Sequence, residues 1–146
     1  MHAIRQFSTD LSAIGGLPVF LVVMIAVPQH ALNMFVALVL SMAIVIPVRL
    51  VWRRARPDKR KAKNLLEQID ASSFPSIHTA RAAIIGLALI TAPWMYAITA
   101  GIILAVAYAR ISLRAHDPLD VSVGALLGIG TWLAATSLTA GFGVFL

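Results

Sequence analysis

"LSAIGGLPVFLVVMIAVPQHALNMFVALVLSMAIVIPV", residues 11 to 48, contains no charged side chain. At about 1.5 Å per residue, one helix of that length would far exceed a hydrocarbon core of about 30 Å, so the stretch must fold back on itself. Pro28-Gln29-His30 is the polar break nearest its middle and sets two spans near 11–28 and 30–48. Composition agrees about the solvent. Of 146 residues 60% are hydrophobic and only 12% are charged, with a mean hydropathy of +0.88, whereas soluble chains carry roughly a quarter charged residues. The chain reads as an integral membrane protein.

The run from Ile77 to Ile111 is also too long for one crossing, and Thr91-Ala92-Pro93 is its natural reversal, which gives spans at 77–92 and 94–111. A last span covers 118–140 and ends in Gly141-Phe142-Gly143. The expected fold is all-α: a polytopic membrane helix bundle of about five transmembrane helices, forming a single domain over 1–146. The chain has no cysteine, so thiolate metal sites and disulfides are excluded. No secretory signal, internal repeat or low-complexity tract is evident. No charge lies between Asp10 and Arg49, or between Arg81 and Arg110, which argues against a transporter with an ionisable pathway inside the spans.

Five spans put the N-terminus, the loop from Arg49 to Pro75 and the segment from Ser112 to Asp117 on one side, and all 12 Lys and Arg residues lie on that side or at span ends facing it. The positive-inside tendency makes this face cytoplasmic. Within the loop, Ala62, Leu65, Leu66 and Ile69 recur at helical spacing, with Lys59, Arg60, Lys61 and Lys63 mostly elsewhere around the helix. That pattern fits a short amphipathic helix in the headgroup region, where its lysines would anchor the chain to anionic lipid.

Three polar clusters fall on the same face: "RLVWRRARP" from Arg49, "PSIH" from Pro75, and "RISLRAHDPLD" from Arg110. Singly, each has an ordinary explanation. Arg53, Arg54 and Arg114 read as snorkelling anchors at span ends. Ser76 reads as a helix start, and Asp117-Pro118 as an N-cap with proline at the first helical position. Asp120 reads as a capping-box acid.

Together, the spacings resemble the type 2 phosphatidic acid phosphatase family, membrane relatives of the vanadium haloperoxidases, whose pattern is K-x6-R-P, P-S-G-H and S-R-x5-H-x3-D. Arg49, six residues and Arg56-Pro57 match the first element with arginine for lysine. Pro75-Ser76-Ile77-His78 matches the second with isoleucine for glycine. Arg110, five residues, His116, three residues and Asp120 match the third, with Ala109 in place of serine. The family usually has six spans and this chain lacks the first, so a homodimer could supply missing lipid-facing wall.

The resemblance implies a metal-independent, cofactor-free lipid phosphatase. Arg49, Arg56 and Arg110 would clamp the phosphate, joined by Ser76 and the free amides of the helix it starts. His116 would be the nucleophile, passing through a phosphohistidine, with Asp120 holding its other ring nitrogen protonated. His78 would protonate the leaving group and then help activate water. Arg81, three residues past His78, lies outside the motif and reads as a further phosphate contact, as a cation for a second phosphate, or as a snorkelling or paired arginine.

A site at a span end suits an amphiphile whose phosphate lies at headgroup depth, so the expected substrate is a lipid phosphate or a polyprenyl (di)phosphate. Membrane lipids are the other expected partners, and no nucleic acid is. A cytoplasmic site would favour a biosynthetic role. The alternatives are a lipid phosphotransferase and a non-catalytic protein that binds anionic lipid.

Overall fold

The computed structural model describes residues 2–52, 54 and 72–140. The amphipathic helix expected at 58–70 and the proposed phosphate ligand Arg56 lie outside them. The described residues form six helices and no strand: α1 (His2–Ala13), α2 (Leu17–Ala26), α3 (Pro28–Val51), α4 (Ile77–Ala88), α5 (Met95–Ser112) and α6 (Pro118–Ala140).

α3, α5 and α6 are each long and apolar enough to cross a membrane. α1 and α2, bent by 42° at Ile14-Gly15-Gly16, pass the same test as a pair. The helical chain thus starts well before residue 11, and α1 sets its exposed Arg5, Gln6 and Asp10 opposite the buried Ser8 and Ser12. Pro28 begins α3, where its missing N–H costs nothing. The stretch from Leu89 to Trp94, which contains Pro93, separates α4 from α5.

The long helices turn large apolar side chains outward: Leu104, Leu126 and Leu133 are each more than half exposed. In water this would be a liability, whereas in a bilayer it is the solvated face. α4 is built differently. Its 12 residues span about 18 Å, less than the hydrocarbon core. Eight of them, including Ala80, Ala82, Ala83, Ile84, Ile85 and Ala88, are buried. It runs through the bundle, packed on α6 and α5 and also against α3 and α2.

Small residues make that position possible. In α6, Gly124 and Gly128 form a GxxxG pair whose missing β-carbons would overlap the backbone carbonyls of Ser76 and Ala80. Gly15, in the bend between α1 and α2, does the same for the carbonyl of His78. Buried hydroxyls fasten the neighbours. The Ser41 and Thr131 hydroxyls lie 3.0 Å apart between α3 and α6, and Thr99 Oγ1 donates to the Gly86 carbonyl of α4 at 3.0 Å. Phe20, Met34, Ala37, Ile84, Ile85, Ala88, Trp132 and Ala135 form an apolar core toward one end of the bundle.

Candidate active site

The other end collects the C-termini of α3 and α5 and the N-termini of α4 and α6. Helix C-termini attract cations and N-termini attract anions. Arg49 and Arg110 occupy the last turns of α3 and α5, and Asp120 the first turn of α6. The antiparallel packing therefore brings two arginines, the start of α4 with no side-chain cap and the start of α6 to the same end.

A continuous series of contacts joins the elements. Arg49, 4% exposed, donates from Nη2 to the Pro75 carbonyl at 2.9 Å. Ser76 caps α4, and its amide donates to the Asp120 carbonyl at 2.9 Å. Its fully buried hydroxyl makes no capping bond and accepts from Thr79 Oγ1 at 3.1 Å. Asp120 Oδ2 lies 3.6 Å from His116 Nδ1, and Arg110 Nη2 lies 3.2 Å from His116 Nε2. Arg110 reaches on through Nη1 to Ser12 Oγ at 3.2 Å, which ties α1 to the site.

The tautomer of His116 follows from these partners. A guanidinium only donates, so Nε2 must accept, and the proton is assigned to Nδ1 on the side of the Asp120 carboxylate. Nε2 is then the nitrogen with the lone pair, next to a permanent cation.

The turn before α6 explains how His116 is presented. At the end of α5, the Arg114 amide donates to the Ile111 carbonyl at 2.8 Å and the Ala115 amide to the Arg110 carbonyl at 3.1 Å, a Schellman pattern. Arg114 holds φ at 54°, in the left-handed region usually left to glycine. The turn delivers His116 directly to the start of α6, where a capping box closes. Asp117 Oδ1 accepts from the amides of Leu119 and Asp120 at 2.9 and 3.1 Å, and Asp120 Oδ2 accepts from the Asp117 amide at 3.0 Å. The helix-start reading of these acids therefore holds alongside their place beside His116.

Arg54 corrects one expectation. Its sequence context reads as a snorkelling anchor, yet it pairs with Asp117 and reaches Asp120 Oδ1 at 3.2 Å. The fully buried Asp120 thus faces a guanidinium on one side and an imidazole on the other. The sequence offered one hint, an arginine within the cluster and two carboxylates three residues apart on the same face. Ser12 gave no signal beyond being a small hydroxyl in an apolar run.

His78 lies two residues past Ser76 in the first turn of α4 and is half-buried. Arg81, one turn on, is also half-buried. On the membrane side of the His116 turn, a groove of about 380 Å³ runs between α5 and α6, lined by Leu104, Ala107, Ile111, Pro118, Val121 and Ala125 among others. No cluster of three or more His, Cys, Asp or Glu side chains gathers in metal-binding fashion among the described residues.

The arrangement suits phosphate chemistry: permanent cations, a helix start without a side-chain cap and a histidine with an assigned lone pair meet at the end of a membrane bundle. The comparisons with known proteins agree. The crystal structure of LpxE from Aquifex aeolicus superposes with a TM-score of 0.74, is 25% identical, and the match covers 94% of this chain and 87% of that chain. No curated protein matches the sequence. A family model of the PAP2 superfamily matches residues 30–142, which takes in each polar cluster. With motif, geometry and fold in agreement, the chain belongs to the PAP2 superfamily, as a metal-independent lipid phosphatase of the membrane.

Proposed function

We propose that the chain acts as one domain over 1–146 and removes phosphate from a lipid or isoprenoid carrier through a phosphohistidine on His116. The observation that carries this reading is the pair of contacts on His116, with Arg110 at Nε2 and Asp120 beside Nδ1. In the first step Nε2 forms a bond to phosphorus as the bond to the leaving oxygen breaks. Asp120 stabilises the imidazolium that develops. Arg49, Arg56, Arg110, Ser76 and the first amides of α4 hold the phosphoryl oxygens, whose charge persists through the transition state. His78 gives the leaving oxygen its proton, then takes one from the water that attacks the phosphohistidine. Inorganic phosphate leaves, and His116 is regenerated.

The groove between α5 and α6 supports a substrate that is itself a lipid, since it offers an apolar wall beside the turn that carries His116. A second copy of the chain could extend that wall. The basic bias of the site's face supports a cytoplasmic site. The test of sidedness is a single cysteine at Lys61 or Gln29, treated in intact cells with a membrane-impermeant thiol reagent. Labelling at 61 but not at 29 would reverse the orientation.

The decisive experiment quenches turnover in alkali, because phosphohistidine is acid-labile, and maps the phosphate by mass spectrometry. Phosphate should appear on the His116 peptide of the native chain. His116→Ala should show neither label nor turnover while melting like the native protein. A His116→Ala variant that keeps more than roughly a hundredth of the native rate would end the proposal. Appearance of a new phosphorylated lipid in place of inorganic phosphate would mark the enzyme as a phosphotransferase.

A further inference from the structure

Nearly all of α4 is enclosed, and the pattern of what is not is informative. Over its first two turns only Ile77, His78 and Arg81 are partly exposed. At about 100° per residue, Arg81 falls between Ile77 and His78 when viewed down the axis. One and two turns further along the same side, Ile84, Ile85 and Ala88 are buried. The bundle therefore opens on one side of α4 at its N-terminal end and closes below Arg81. His78 stands at the mouth of that opening, and Arg81 stands about 4.5 Å deeper along the helix.

A cation at that depth needs an anion. Arg81 Nε is buried and has no hydrogen-bond partner among the described residues. The described carboxylates are engaged elsewhere: Asp10 accepts from Gln6, and Asp117 and Asp120 pair with Arg54. A guanidinium without a counter-charge among the described residues, at the closed end of an opening, is costly to maintain, and such residues in membrane segments mark ligand positions.

We propose that Arg81 binds a second phosphate, the one that leaves with the lipid when the substrate is a lipid diphosphate. This rests on the phosphohistidine reading above. The depth has the right sign. In a lipid diphosphate the terminal phosphate is farther from the tail and the tail-bearing phosphate lies nearer the hydrocarbon core. His116 takes the terminal phosphoryl group, a P–N bond forms, and the anhydride P–O bond breaks with its electron pair going to the bridging oxygen. That oxygen departs on the lipid monophosphate, whose added charge Arg81 meets while His78 supplies the proton. Water then releases inorganic phosphate from His116. A lipid monophosphate has no second phosphate and makes no use of Arg81.

The experiment compares farnesyl diphosphate with farnesyl phosphate in mixed micelles, using the native chain, Arg81→Gln and Arg81→Lys. Arg81→Gln should lower kcat/KM for the diphosphate by about 30-fold and for the monophosphate by less than about threefold, with Arg81→Lys between on the diphosphate alone. Equal losses on the two substrates, or no loss on either, would overturn the proposal, as would a native enzyme that hydrolyses the monophosphate but not the diphosphate. A native enzyme inactive on both but active on phosphatidic acid would overturn this proposal and leave the phosphatase reading standing, whereas inactivity on all three would count against both. Melting of Arg81→Gln at the native temperature separates a binding defect from a folding one, and a parallel Arg81→Met gives a second neutral side chain for the same comparison.

Discussion

The two ends of α4 are held by different forces. Around its last turns the contacts are apolar and close-packed: Ile84, Ile85 and Ala88 meet Phe20, Met34 and Trp132, with Gly128 of α6 admitting the helix at Ala80 one turn earlier. Around its first turn the contacts are polar and long-range, running from Arg49 through Pro75 and Ser76 to Asp120, His116 and Arg110. The closed end is where burial and packing work without opposition. At the open end three arginines and two helix N-termini share one region with the carboxylates of Asp117 and Asp120, a charged arrangement held in place by directed bonds. The arginines are held by bonds to a carbonyl, a hydroxyl and carboxylates that fix their positions. A concentration of charge of this kind is tolerated because the closed end supplies stability.

That contrast can be tested by substitutions at either end. The largest effect belongs to the open end: His78→Ala should slow hydrolysis of a lipid phosphate by about 100-fold to 10,000-fold. The loss should be much smaller on p-nitrophenyl phosphate, whose leaving group needs no acid. Equal losses would remove His78 from the acid role and leave the open end without an assigned proton donor.

Gly128→Val comes next, at the closed side. Its added side chain meets the Ala80 carbonyl, a backbone atom that cannot swing away. A destabilisation of about 3 kcal/mol is expected, seen as a lower melting temperature in detergent. A melting curve like the native one would show that α4 is held less tightly there than the contact implies.

Arg54→Ala should cost less, about 1–2 kcal/mol, because its side chain is 34% exposed and its pairing is partly screened. Activity should fall further than stability suggests, since Asp120 loses the partner that helps aim it at His116, and Arg54→Lys should recover part of it. Intact activity in Arg54→Ala would mean that the capping box alone orients Asp120. The smallest effect should be a gain: Arg114→Gly relieves a left-handed residue and should raise stability by about 1 kcal/mol with turnover unchanged. Lost turnover would show that the Arg114 side chain meets substrate.

Much of this was legible in the residues. The uncharged run from 11 to 48 determines the membrane setting, Pro28 and Pro93 mark two breaks between helices, and the spacing of the three polar clusters points to one shared end. The acids before α6 carry an N-cap signature that the capping box fulfils. Other features were hidden for physical reasons. α1 escaped because a helix with one polar face resembles a loop when the search is for apolar runs, and its buried Ser8 and Ser12 look like any small polar residues. Arg54 was misread because an arginine at a span end looks the same whether it reaches water or a carboxylate. Only the fold brings it from the end of α3 to the start of α6. The Schellman turn was obscured because its glycine position is filled by Arg114.

α4 starts at Ser76 and carries His78 yet never presents a broad face to lipid. A lipid-facing helix is constrained by oiliness, and one leucine there can stand in for another. α4 is constrained by volume: most of its positions are alanine, glycine or threonine, or isoleucine fitted between neighbours. Tolerance to substitution should therefore run opposite to apolarity, with Leu104 and Leu126 open to change and Ala80 and Ala83 intolerant of even one added methylene. In a library of variants, α4 would be recognisable by its rejection of large residues before any activity was measured.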